Sequence, residues 1–212
     1  MGQKVNPISF RLGSFTTWNS RWFAEDKKYQ NLLLDDIKIR RKLMEKLKIA
    51  GIAKVEIERS INKIDISVHV ARPGVVIGRG GSGIEELKKE IEILLKIKKD
   101  DKNAPKLDLK VEPVKEPNLN AYLVAMGIAD GLIKRQQHRR LANQAIERVM
   151  GAGAKGVRIK FAGRIGGAEI SRREKFQSGS IPLSTLREKI DFTTVPALTK
   201  SGYIGVKVWI CK

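Results

Sequence analysis

From Lys27 to Lys48 the apolar residues recur at steps of three and four, with Leu33, Ile37, Met44 and Leu47 on one stripe and Arg40 or Arg41 interrupting it. That period predicts an amphipathic helix, with Gly51 as its stop. Val55, Ile57 and Arg59 then alternate with charged residues, Asn62-Lys63 marks a turn, and Ile64, Ile66, Val68 and Val70 alternate again. A period of two on both sides of a polar turn predicts a hairpin. Pro73-Gly74 breaks the chain, after which Ile84, Leu87, Ile91, Leu94 and Leu95 restore the helical period. Asp100–Asn103 reads as a loop, and Leu107, Leu109 and Val111 as a strand ending at Pro113.

Residues 112–118 hold two prolines and no apolar period, which predicts a domain boundary. Beyond it the pattern predicts helices over 119–133 and 137–150, then a strand at Val157–Phe161 that alternates apolar with basic. A flexible basic loop at Gly163–Gly167, a basic segment over 170–176 and a closing strand at Ile204–Ile210 complete the chain. Up to Trp22 the period is poor, and Phe10, Phe15, Trp18 and Trp22 lie among basic residues. This start reads as an arm that becomes ordered on a partner. The expected organisation is therefore a basic arm over 1–22 and two α/β domains, over 23–113 and 114–212, the second with a mixed sheet.

The first domain runs helix, strand, strand, glycine loop, helix, strand. Its glycine loop is Gly78-Arg79-Gly80-Gly81, entered by Val75-Val76-Ile77 and left by Ser82-Gly83-Ile84. A GxxG loop lets a sugar-phosphate chain approach the backbone with no side chain in the way. The amides at the start of the next helix then point at phosphates, and Arg79 adds charge. This element order is that of a bacterial-type (type II) KH domain, which clamps single-stranded nucleic acid. Gly78, Gly80 and Gly83 also fit the dinucleotide fingerprint GxGxxG, with Asp100 and Asp101 at a suitable distance. Two alternating strands ahead of the loop, and Pro73-Gly74 immediately before it, exclude the buried parallel strand that this fingerprint needs.

Charge sharpens the picture. The 212 residues carry a net charge of +19, which points to a polyanion as partner. Residues 118–175 hold 12 Lys and Arg against 4 Asp and Glu, so the charge is concentrated in the second domain. Lys134-Arg135 and Arg139-Arg140 form a basic cluster read as lying on helical spacing, with few acidic partners. Aromatic residues make up only 6% of the chain, which argues against modules that stack bases on exposed rings. The one cysteine, Cys211, can build neither an internal disulfide nor a zinc cluster. No secretory signal, membrane span, Walker sequence, metal-ligand spacing or catalytic constellation stands out, so neither cofactor nor enzymatic activity is expected.

Longer runs carry a resemblance. Gly2-Gln3-Lys4-Val5-Asn6-Pro7, Ala71-Arg72-Pro73-Gly74-Val75-Val76-Ile77-Gly78 and Gly163-Arg164-Ile165-Gly166-Gly167-Ala168-Glu169-Ile170 resemble the family of small-subunit ribosomal protein number three, in its bacterial or organellar form. Ile181-Pro182-Leu183-Ser184-Thr185-Leu186-Arg187 and Gly205-Val206-Lys207-Val208-Trp209-Ile210 extend the likeness over nearly the full length. The resemblance implies a place in the head of the small ribosomal subunit, against rRNA. It implies proteins number ten and fourteen as neighbours, with two, four and five nearby. It also implies contact with mRNA where the message enters, on a cytoplasmic or an organellar ribosome. Arg139 and Arg140 fall where relatives present basic residues that help unwind mRNA, and Asn143 stands at the third such position. On this reading Arg158, Lys160, Arg164, Arg172 and Arg173 face rRNA, and Lys4, Arg11, Lys134 and Arg135 add further RNA contacts. The competing reading is a free regulatory KH protein acting on mRNA off the ribosome, which leaves the second domain unexplained.

Overall fold

The computed structural model describes residues 3–14, 16–95 and 105–212, so the expected loop at Asp100–Asn103 and the aromatic Phe15 lie outside the described residues. Its contacts divide the chain into two compact units. One is Trp18–Lys115; the other joins the segment ending at Thr17 to Glu116–Lys212.

The Trp18–Lys115 unit contains β1 (Ser20–Arg21), α2 (Asp26–Lys46), β2 (Ile52–Ser60), β3 (Lys63–Val70), α3 (Pro73–Ile77), α4 (Ser82–Leu94) and β4 (Lys106–Pro113). The sheet order is β1-β2-β3-β4. β2 and β3 form the expected antiparallel hairpin, while β1 runs parallel to β2 and β4 parallel to β3. Val55, Ile57, Ile64, Ile66, Val68 and Val70 are buried, as the alternation requires, and pack with Leu87 and Ile91 of α4. The Val75–Ile77 run, read as an apolar lead-in, is the last turn of short α3, which begins on Pro73 at a position that favours proline.

The stripe of α2 differs from the expected one. Leu33 and Ile37 are 40% and 38% exposed, whereas Asp36, Ile39 and Leu43 are buried. The inward face is rotated because an aspartate occupies it. Asp36 accepts hydrogen bonds from Ser20, Trp22 and Arg59, which makes its burial tolerable.

The second unit contains α1 (Pro7–Phe10), α5 (Ala121–Ile133), α6 (His138–Gly151), β5 (Gly156–Gly163), β6 (Arg172–Gly179), β7 (Ile190–Thr199) and β8 (Gly202–Cys211). The sheet, expected to be mixed, is fully antiparallel: each neighbouring pair in the order β6-β5-β8-β7 runs in opposite directions. One face, with Val157, Ile159, Phe161, Val206 and Val208, packs against Ala125, Ile128, Ala145 and Val149 of the two helices. α5 begins where Asn120 accepts from the amides of Tyr122 and Leu123 and Asp191 accepts from that of Ala121. β6 and β7, which the pattern did not predict, are the two edges; Pro196 in β7 is admissible there.

Arg11 corrects the reading of the N-terminal segment. It was expected to reach RNA from a basic arm, yet it is only 1% exposed. Its Nε donates to the carbonyl of Glu188 (2.8 Å) and Nη1 to that of Pro7 (3.0 Å). Nη2 donates to Pro182 (3.4 Å), Leu183 (3.1 Å) and Thr185 (2.8 Å). Arg11 is a structural clamp between α1 and the segment that precedes β7.

Candidate nucleic-acid interface

In the glycine loop, Gly78, Gly80 and Gly81 all have positive φ, at 70°, 62° and 85°. A Cβ on Gly80 or Gly81 would meet no other atom within 4 Å, so these two face open space and their conformation alone selects glycine. Gly83 is different: a Cβ there would lie 2.4 Å from the Val76 carbonyl oxygen. Gly83 therefore lets the start of α4 sit against the end of α3, a packing need that the GxxG pattern did not single out. Gly81 caps α4 without any side-chain hydrogen bond, so no side chain covers the first amides of that helix. Arg79 is described in its backbone alone.

The two sheets expose very different polar faces. In the Trp18–Lys115 unit the open face is mixed and neutralises itself. Lys54 pairs with Glu56 (2.6 Å), Lys63 with Asp65 (2.8 Å) and Asp108 (3.1 Å), and His69 with Glu112 (3.4 Å). Such a face carries little uncompensated charge of its own.

The sheet of the second unit has no such compensation. Lys160 stands directly opposite Lys175 on one side and Lys207 on the other. Opposed residues in an antiparallel pair share a face, and like charges opposite one another are destabilising. Arg158, two residues along β5, shares that face and donates to Gln177 (3.0 Å), while Arg173 lies opposite Ala162. No Asp or Glu occupies this face in the four strands. Desolvation, followed by the charges of Lys4, Arg173 and Lys207, holds the Lys160 ammonium below the ordinary lysine value. The geometry thus gathers Arg158, Lys160, Arg173 and Lys4 from among the expected residues and adds Lys175 and Lys207. The missing signal was the strand register, which brings together positions far apart in the chain, such as Lys160 and Lys207, 47 residues apart.

Arg172 falls on the other face of β6, with Glu174. Glu174 bonds His138 at the first position of α6 (3.0 Å) and lies 3.7 Å from Arg139. His138 also packs edge-on against Phe161 and Phe176. It fixes the start of α6 and so sets the direction of Arg139, whose side chain is 68% exposed, and of exposed Arg140.

Lys134 and Arg135 lie between α5 and α6, as the predicted bounds 119–133 and 137–150 place them, and so not on the helical spacing read for the basic cluster. α5 ends at Ile133, and Arg135 has φ 60°. Its amide bonds the Leu132 carbonyl (3.0 Å) and that of Gln136 bonds Gly131 (3.0 Å). This is a Schellman ending with arginine where glycine is usual. Arg135→Gly is expected to raise stability by about 1 kcal/mol by relieving the left-handed conformation, an increase readable in a urea melt, while weakening RNA binding. Unchanged stability would mean that the turn is not strained.

Among the described residues, no group of three or more His, Cys, Asp and Glu is placed to hold a metal, and no helix is long and apolar enough to cross a membrane. A GxxG module in a mixed sheet, followed by a second α/β domain with uncompensated cations, defines a structural RNA-binding protein. The family model for the KH domain matches residues 38–119, and that for "Ribosomal protein S3, C-terminal domain" matches residues 128–210. The chain is 49% identical to "Small ribosomal subunit protein uS3" of Clostridioides difficile, over all of this chain and 75% of the relative. It is 48% identical to the protein of that name from Caldicellulosiruptor saccharolyticus, over all of this chain and 92% of the relative, and 48% identical to that of Persephonella marina, over all of this chain and 90% of the relative. The chain belongs to the ribosomal protein uS3 family, whose members are structural and not enzymes.

Proposed function

We propose that this chain is a structural constituent of the small-subunit head in a cytoplasmic ribosome. It binds small-subunit rRNA and meets mRNA where the message enters, beside proteins number ten and fourteen and near two, four and five. The observation that carries this reading is the lysine row Lys175, Lys160 and Lys207, opposed across three strands with no carboxylate on their face. Phosphates supply the counter-charge that the fold withholds. In the other unit, the open amides at Gly81 and the exposed backbone of Gly80 offer a clamp for a single-stranded segment. Arg139 and Arg140, held outward by the His138–Glu174 anchor, face the message.

Binding of a small-subunit rRNA fragment, titrated against salt, tests the first part. Lys160→Gln with Lys207→Gln is expected to flatten the log–log salt dependence by about two units, roughly one for each phosphate that is no longer neutralised. An unchanged slope would remove the sheet face from the interface. For the mRNA contact, Arg139→Ala with Arg140→Ala is expected to slow translation through a stable hairpin while leaving unstructured messages unaffected. Equal speed on both messages would refute it.

A further inference from the structure

The second unit contains a cleft of about 580 Å³ that neither the lysine row nor the arginines of α6 account for. The turn between α5 and α6, the loop after β5 and the hairpin between β7 and β8 surround it. Leu132, Ile165 and Ile204, each 5–7% exposed, give the floor a narrow apolar strip, behind which Phe161 is fully buried. Arg135, Arg164 and Lys200 bring three cations to the lining, and among the described residues no Asp or Glu lines it. The neighbouring carboxylate, Glu174, is already engaged by His138 and Arg139. Gln136 and Gln137 add amide groups, and Gln137 caps α6 without a side-chain hydrogen bond.

We infer that this cleft receives one unpaired nucleotide of RNA, extruded from its neighbours. The inference rests on the RNA-binding reading above and names what that surface selects. Each part of a nucleotide finds a matching group. A planar base buries its faces on the apolar floor. The two glutamines carry both donors and acceptors, as a base edge requires. The phosphate meets Arg135, Lys200 and the guanidinium of Arg164, whose Nε is held by the Ala168 carbonyl at 2.9 Å. The volume lies within the usual range for small-ligand sites. The cleft also opens beside the first turn of α6, so a strand passing over Arg139 and Arg140 has the next phosphate positions within reach. An acidic peptide would satisfy the cations but leave the floor without a flat apolar group.

The test uses the full chain and a short hairpin RNA with one bulged adenosine, compared with the same hairpin in which that position is abasic. Wild-type protein is expected to bind the bulged hairpin about tenfold more tightly, the gain from burying one base. Ser201→Phe, which fills the cleft without changing its charge, is expected to erase the difference and leave binding to the abasic hairpin intact. Gln136→Ala with Gln137→Ala, at exposed positions, is expected to shrink the difference and serves if the phenylalanine variant fails to fold. Equal binding of the two hairpins by wild-type protein overturns the inference while the RNA-binding reading stands. A preference that survives both variants also overturns it, because the base is then read elsewhere. If neither hairpin binds, the RNA-binding reading itself fails. Displacement of the bulged hairpin by an acidic peptide but not by adenosine monophosphate would assign the cleft to a protein segment and overturn the inference.

Discussion

Replacing Arg11 by alanine is expected to cost the second unit about 4 kcal/mol of stability, near the upper end of single-residue effects. The guanidinium spends all three of its nitrogens on five backbone carbonyls, those of Pro7, Pro182, Leu183, Thr185 and Glu188. Removing it leaves these acceptors in a space that its own side chain filled, and each buried acceptor left unpaired costs about 1–3 kcal/mol. The losses do not add fully, since the loop can relax and admit water. Arg11→Lys should recover only a minor part, because an ammonium has three donors on one atom and cannot fan out to oxygens on opposite sides. Urea denaturation followed by hydrogen exchange of the β7 and β8 amides reads the effect, since Trp209 of β8 packs with Ile181 and Ile190 at the same end of the sheet. The sequence-based expectation makes the opposite forecast. If Arg11 were an RNA contact on an arm, Arg11→Ala would weaken RNA binding and leave the melt unchanged.

Why this was hidden is a question of distance along the chain. Lys4, Arg11 and Arg21 look alike in a segment without apolar period, and nothing local separates the clamp from its neighbours. The carbonyls that receive Arg11 lie between 171 and 177 residues away, apart from that of Pro7. The elements that were legible have local causes. The β2–β3 hairpin follows from strict alternation, and α4 from Leu87 and Ile91 behind a glycine loop. Elements at the edges were not legible. β6 is too basic to show an apolar stripe, and β7 carries a proline that a central strand would reject. The candidate site was half legible for the same reason. Arg158 and Lys160 show their shared face by spacing within one strand, but Lys175 and Lys207 join them only through register. The stripe of α2 was misplaced because leucines at 33 and 34 outweigh an aspartate at 36 on any hydrophobic scale.

That aspartate carries the second large effect. Asp36→Ala is expected to destabilise the Trp18–Lys115 unit by about 3–5 kcal/mol, the cost of breaking a buried ion pair from one side. Asp36 is 2% exposed and receives four hydrogen bonds. Ser20 (3.0 Å) and Trp22 (2.8 Å) donate to Oδ2, and the Nε (2.9 Å) and Nη2 (2.7 Å) of Arg59 donate to Oδ1. Arg40 stands beside them, bonded to the Asn19 carbonyl and the Ser20 hydroxyl. Burial pushes its guanidinium below the ordinary arginine value, against the pull of Asp36 and Glu56. Removing the carboxylate therefore strands the Arg59 guanidinium and the Trp22 indole N–H, and takes a nearby counter-charge from Arg40, which keeps its bonds to Asn19 and Ser20. Asp36→Asn keeps the volume but turns an NH2 group toward donors, so it should also destabilise, by about 2 kcal/mol. Asp36→Leu combined with Arg59→Met should recover most of the loss, as apolar replacement of a buried pair often does. The cycle separates two causes. If the double variant is as unstable as Asp36→Ala, shape at this junction matters more than charge. If Asp36→Ala costs under about 1 kcal/mol, the carboxylate is not what holds β1 to α2. Hydrogen exchange localises the answer, because β1 has only two residues and pairs with β2 alone. The amide of Ile57, bonded to the Asn19 carbonyl at 2.9 Å, should lose protection in Asp36→Ala before those of the β2–β3 ladder do. A short strand tied down through one buried carboxylate opens first when that tie is cut, since the ladder beyond it has its own hydrogen bonds and core to hold it.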